Sequence, residues 1–192
     1  SLIKNSLAND EPADVEQLVD IAHQNSERLV GLVNDILDMD KVSAGKMEYR
    51  MTPVAIATVV DNAIALNEGL CEQFGVSFAV ENDASDAFVN GDADRLVQVL
   101  TNLLANAVKY SPPEGIVEIS AARCGNKVRV KVRDHGPGIP EEFRDSIFGR
   151  FSRVDSTDSR AVPGTGLGLH ISKTIVDQHE GTIAFDPAPG GG

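Results

Sequence analysis

The chain has 192 residues, 42% of them hydrophobic, enough for one substantial core with an appendage rather than two full domains. Seventeen basic against twenty-nine acidic residues leave a net charge of -12, which argues against a nucleic-acid partner, because phosphates would be repelled over most of the surface. No apolar run spans a bilayer, no secretory signal is present, and Cys71 and Cys124 fit no metal or redox spacing, so they read as reduced core thiols of a cytosolic protein.

In chain order, SLIKNSLAN reads as a short helix tail, Ser1 to Ala8, turned by Asn9-Asp10-Glu11-Pro12. A long helix follows from Asp14 to Met47. Val15, Leu18, Ala22, Asn25, Leu29, Leu32, Ile36 and Met39 repeat in steps of three and four, Asn25 being the one polar member, and Val19, Val30, Val33 and Leu37 widen the stripe as a bundle helix requires. Residues 1–50 therefore form one unit, a broken helical hairpin, and residues 51–192 a second.

In the second unit Pro53 is expected to open a helix running to about Phe74, followed by short strands at Val76–Val80 and Ala87–Asn90. Asp92 caps a helix ending at Ser111-Pro112-Pro113, with Leu96, Leu100, Leu103 and Ala107 as its core stripe. Two alternating runs, Ile116–Arg123 and Lys127–Asp134, meet at Gly125-Asn126 as a hairpin. A long polar segment leads to Gly168, then a helix to about His179 and a strand Thr182–Phe185. A segment of that length without regular structure is a lid or a disordered stretch.

Three polar clusters carry the chemistry. On the Asp92 helix, Arg95, Gln98, Asn102, Asn106 and Lys109 share a face. That face is either solvated or a nucleotide site, since an amide oxygen suits Mg²⁺ and an ammonium one turn away suits phosphate. In DHGPGIP, strand parity puts Asp134 on the apolar side with Val128, Val130 and Val132. It either bonds the amides of its own turn or accepts from a ligand, because an unpaired buried carboxylate is costly. Gly136 and Gly138 let the backbone approach a flat ligand. In GTGLGL, Gly164, Gly166 and Gly168 precede a helix and gather bare amides at its positive end, an anion site.

Together, in this order, these stretches resemble the catalytic domain of sensor histidine kinases, within the GHKL ATPases. DADRLVQVLTNLLANAVKYSP is similar to the N box, DHGPGIP to the G1 box, Phe148-Gly149-Arg150-Phe151 to the F box and GTGLGL to the G2 box. The long helix resembles the second helix of the dimerisation and phosphotransfer hairpin. The resemblance implies an α+β fold, a two-layer sandwich of the Bergerat ATP-binding type in which helices pack a mixed sheet, preceded by a bundle-type helix. It implies ATP and Mg²⁺ as cofactors, with Asn106 on the metal, Asn102 alongside and Lys109 on phosphate as the catalytic set. Tyr110 would lie against the nucleotide and Asp134 would accept the adenine amino group. Gly164, Thr165, Gly166, Leu167 and Gly168 would shape the phosphate end, with Ser152 to Pro163 as a lid rooted by Phe148 and Phe151.

By the same resemblance, the function is transfer of the ATP γ-phosphoryl group to a histidine, for relay to the aspartate of a response-regulator receiver domain. The parent protein would be a homodimer through the hairpin, cytoplasmic or membrane-anchored. The alternatives are a GHKL hydrolase and a non-catalytic ATP-binding module. In the hydrolases a Glu stands where Asn102 does, and Asn cannot serve as a general base. The sequence departs from the family in lacking the acceptor motif, in reading His179-Glu180-Gly181 where a double glycine is usual, and in lacking a closing strand. None of the four histidines fills the acceptor role, so the acceptor helix is expected upstream of Ser1.

Overall fold

In the computed structural model the chain is described over residues 12–43, 47–150 and 166–187, and it divides into two compact units, Ser1–Gly45 and Lys46–Gly192. The expected stub Ser1 to Ala8 lies outside the described residues. The first unit contains helix α1 (Pro12–Ser43), which ends four residues before Met47. Lys41 in its last turn complements the negative end of the helix dipole. Val19, Leu29, Val30, Val33, Ile36 and Leu37 are each more than half exposed, so these members of its apolar stripe lie open to solvent.

The second unit opens with strand β1 (Thr52–Ala55) and helix α2 (Ile56–Phe74). Pro53 does not start the helix as expected. It sits in β1, opposite Asn90 of β3 (Phe88–Gly91), in an antiparallel ladder. Proline has no N–H to give a ladder and is tolerated where pairing is one-sided, and β1 pairs with β3 alone. Helix α2 closes at Gly75, whose left-handed φ of 65° turns its amide back onto the Cys71 and Glu72 carbonyls.

Beyond it lie β2 (Ser77–Asn82), α3 (Ala93–Tyr110), β4 (Ile116–Cys124), β5 (Lys127–Arg133), a 3-10 turn at Glu141–Phe143, and α4 (Gly168–Gln178). The mixed sheet is three-stranded, in the order β2-β4-β5, with β2 parallel and β5 antiparallel to β4. The β1–β3 pair stands as a separate ladder. The hairpin turns at Gly125, φ 64°. Thr182 to Phe185 keep a period-two alternation of exposure but make no ladder among the described residues, correcting the expected strand.

Val117, Ile119 and Ala121 on the inner face of β4 are buried against Val59, Val60 and Ala63 of α2 and Leu100, Leu104 and Val108 of α3. The core stripe of α3 is centred on Leu104 and Val108, both fully buried, while Leu96 and Leu103 are half-buried. The stripe is therefore rotated from the expected one, because the helix is wedged between α2 and α4 as well as the sheet. Ile171 and Ile175 of α4 are buried alongside. No helix among the described residues is long and apolar enough to cross a membrane.

Candidate functional site

The site is organised on α3, whose N-terminus is held from three directions. Asp92 caps it, accepting the Arg95 amide at 3.2 Å through Oδ1 and the Arg50 amide at 2.9 Å through Oδ2. Burial would push this carboxyl up, but the Arg50 and Arg95 amides, the Arg95 charge and the Asp94 amide outweigh it and hold the pKa below the ordinary value. The Asp92 amide in turn donates to Nε2 of His179 at 2.9 Å, while His179 Nδ1 lies 2.7 Å from the Ile175 carbonyl. An acceptor at Nε2 requires the proton on Nδ1, so this ring bridges the C-terminus of α4 to the N-terminus of α3. Tyr49 packs edge-on against it with centroids 5.6 Å apart. His179 thus does more than terminate a helix, a role its sequence position did not reveal.

Along the polar face, Arg95 donates to Gln98 at 2.8 Å. Asn102 is half-buried and its Nδ2 donates to Oγ of Ser172, a buried α4 hydroxyl, at 2.9 Å. A Cβ on Gly168 would lie 2.4 Å from Asn102 Oδ1, so only glycine lets the start of α4 close on this amide. Leu167, 2% exposed, plugs the turn into the core, and Gly166 takes the left-handed φ of 68°. One turn beyond Asn102, the half-buried Asn106 amide makes no hydrogen bond to a described residue. Lys109 is half-buried and Tyr110 exposed.

At the other end of α3, a Cβ on Gly136 would meet the Tyr110 carbonyl oxygen at 2.5 Å and Asp134 Oδ1 at 2.9 Å. The turn after β5 is therefore pressed against the last residue of α3. Exposure alternates through β5, and Asp134 falls half-buried on the parity of the valines. Its Oδ1 accepts the Gly136 amide at 2.9 Å, the local bond open to it from sequence, and Oδ2 is bonded to no described residue. His135 points to the other side, 3.0 Å from Glu118, which also faces Arg133 at 3.6 Å. Gly138, φ 74°, completes the bend, and Arg144 Nε donates to the Ile139 carbonyl at 3.2 Å.

The glycine turn of α4 thus meets α3 at Asn102 and the glycine turn after β5 meets it at Tyr110. Eight residues of helix separate these points, about 12 Å, with Asn106 midway. Gly164, Thr165, Phe151 and the expected lid Ser152 to Pro163 lie outside the described residues. Ser172, His170 and His179 were not foreseen as site residues. Ser172 alone carried a signal, its place one turn after Gly168.

Similarity to known proteins follows the same segments. The chain is 33% identical over 173 residues to the circadian input-output histidine kinase CikA of Synechococcus elongatus, covering 88% of the chain and 23% of that protein. The full-length structure of ShkA in complex with AMPPNP superposes with a TM-score of 0.71 at 28% identity, over 92% of this chain and 36% of ShkA. Histidine kinase ThkA in complex with the response regulator protein TrrA gives 0.66 at 27% identity, over 93% of this chain and 50% of that one. The chain therefore spans a quarter to a half of these relatives. The family model described as histidine kinase-, DNA gyrase B-, and HSP90-like ATPase matches residues 91–192, the stretch that runs through α3 and both of its glycine turns. A match over more than half of the chain shows that this protein belongs to that ATPase family, as a homologue of sensor histidine kinases.

Proposed function

We propose that this unit binds Mg²⁺-ATP along α3 and delivers the γ-phosphoryl group to a histidine, for relay to a response-regulator receiver domain. The observation that carries the reading is the pair of glycine turns pinned about 12 Å apart on one helix, with a uncommitted amide between them. That spacing suits an extended nucleotide, its base at Asp134 and Tyr110 and its phosphates at Asn102, Lys109 and the start of α4. Asp134 Oδ2 would accept the adenine amine, and the close approach permitted by Gly136 and Gly138 would admit the flat ring. Gly164, Thr165, Gly166, Leu167 and Gly168 would enclose the phosphate end.

Asn106 would hold Mg²⁺. No trio of His, Cys, Asp or Glu that could hold a metal occurs among the described residues, so the ion would draw its other ligands from phosphate and water. Bound there, the ion neutralises charge on the transferring phosphoryl group. Lys109 supplies a second positive charge, and the α3 scaffold supplies alignment. Asn102, engaged with Ser172 and carrying no basic atom, is suited to positioning rather than to activating water, which favours transfer over hydrolysis. The exposed members of the α1 stripe support homodimerisation through a helical bundle, and a cytoplasmic location follows from the need for ATP.

Titration with a fluorescent ATP analogue tests the site. Asp134→Asn should weaken binding about ten- to a hundredfold, the worth of one buried charged hydrogen bond of about 1.5–3 kcal/mol. Asn106→Ala should abolish the enhancement by Mg²⁺. Unchanged affinity in both variants would overturn the assignment. Supplied with a histidine-bearing hairpin, the chain should transfer acid-labile, alkali-stable label from γ-labelled ATP. Label appearing on the chain alone, and lost in His23→Ala, would instead make His23 the acceptor.

A further inference from the structure

His170 lies in the first turn of α4, two residues beyond Gly168, and both of its ring nitrogens are engaged. Nδ1 is 3.0 Å from the carbonyl oxygen of Phe148, and Nε2 lies 3.3 Å from Nε of Arg150. A guanidinium only donates, so Nε2 must accept and the proton must reside on Nδ1, which donates to Phe148. The ring is anchored in turn through its backbone, whose carbonyl accepts Thr174 Oγ1 at 3.0 Å. One imidazole therefore ties the 148–150 segment to the turn that Gly168 presses against Asn102.

We propose that His170 is a positioning residue for nucleotide phosphates: it orients the Arg150 guanidinium beside the start of α4, where that cation strengthens binding of the polyphosphate. This rests on the proposed ATP site. A flexible arginine loses rotamer freedom on contacting an anion, and one already held by a ring acceptor loses less. The neighbouring Lys173 does not substitute, because it is paired with Asp177 at 3.1 Å further along the helix. His170→Ala removes both bonds, whereas His170→Gln can present an amide oxygen to Arg150.

The discriminating comparison is ATP against adenosine, measured by competition with a fluorescent ATP analogue on the full chain. His170→Ala should weaken ATP about tenfold, as expected for a lost charge-assisted contact, and leave adenosine unchanged. Arg150→Ala should reproduce that loss, the double variant should add nothing further, and His170→Gln should recover most of it. Equal loss for ATP and adenosine would mean a structural role only and would overturn the proposal, as would unchanged ATP affinity in His170→Ala. Failure of the unaltered protein to bind ATP would instead refute the proposed function, so the two failures are separable.

Discussion

Gly168→Ala tests the contact that joins α4 to the site helix. In a helix such a change ordinarily stabilises by up to about 1 kcal/mol, because alanine loses less backbone entropy and leaves less backbone bare. Here the new methyl would lie 2.4 Å from Asn102 Oδ1 and 2.9 Å from both its Cγ and Nδ2. Asn102 has to swing away, which breaks its 2.9 Å bond to Ser172 and strips that buried hydroxyl of its partner. Losing the bond and stranding the hydroxyl costs about 1–3 kcal/mol, and residual crowding adds a comparable amount. The clash outweighs the propensity gain, leaving a net destabilisation of about 1–5 kcal/mol. Urea unfolding followed by circular dichroism should show the midpoint falling. In the double variant Asn102→Ala/Gly168→Ala the methyl has room, so the two changes should be strongly non-additive, by about 1 kcal/mol or more. Gly168→Ala at or above the original stability, or a strictly additive cycle, would refute the steric account.

Gly136→Ala should be harsher, because the methyl would meet the backbone carbonyl of Tyr110, which cannot rotate aside; reduced ATP affinity together with a lowered unfolding midpoint is expected. Asp92 links stability to acid pH. Its folded pKa is depressed, so its contribution is fully present above the ordinary value of 3.8 and is lost as pH falls through the lower folded value. Asp92→Ala should cost about 0.5–2 kcal/mol at neutral pH and flatten that acid limb in pH-dependent denaturation. Burial, reinforced by Glu68, raises the pKa of the Cys71 thiol, while Cys124, expected in the core, is exposed at the hairpin end of β4. A colorimetric thiol reagent should therefore count one fast cysteine in the native protein and two after denaturation; two fast thiols would contradict the packing around Cys71.

Much of this protein is decided within short windows of sequence. The apolar row of α1, the Asp92 cap, the hairpin turning at Gly125 and the inward parity of Asp134 all follow from periods of 3.6 and 2, and from turn chemistry, which depend on neighbours along the chain. The order of the polar clusters was enough to place the chain among the ATPases it matches. What the windows could not contain is who receives whom. The proline at position 53 became a strand residue because β3 was there to pair with it, and Thr182 to Phe185 form no ladder among the described residues although β5 is an edge strand. Asn102 finds Ser172 across 70 residues, and Asp92 finds His179 across 87. Hydrogen bonds of that separation exist only after α3 and α4 are packed side by side. Burial sets their geometry, because once Ile171 and Ile175 enter the core, the polar atoms between the helices must satisfy one another.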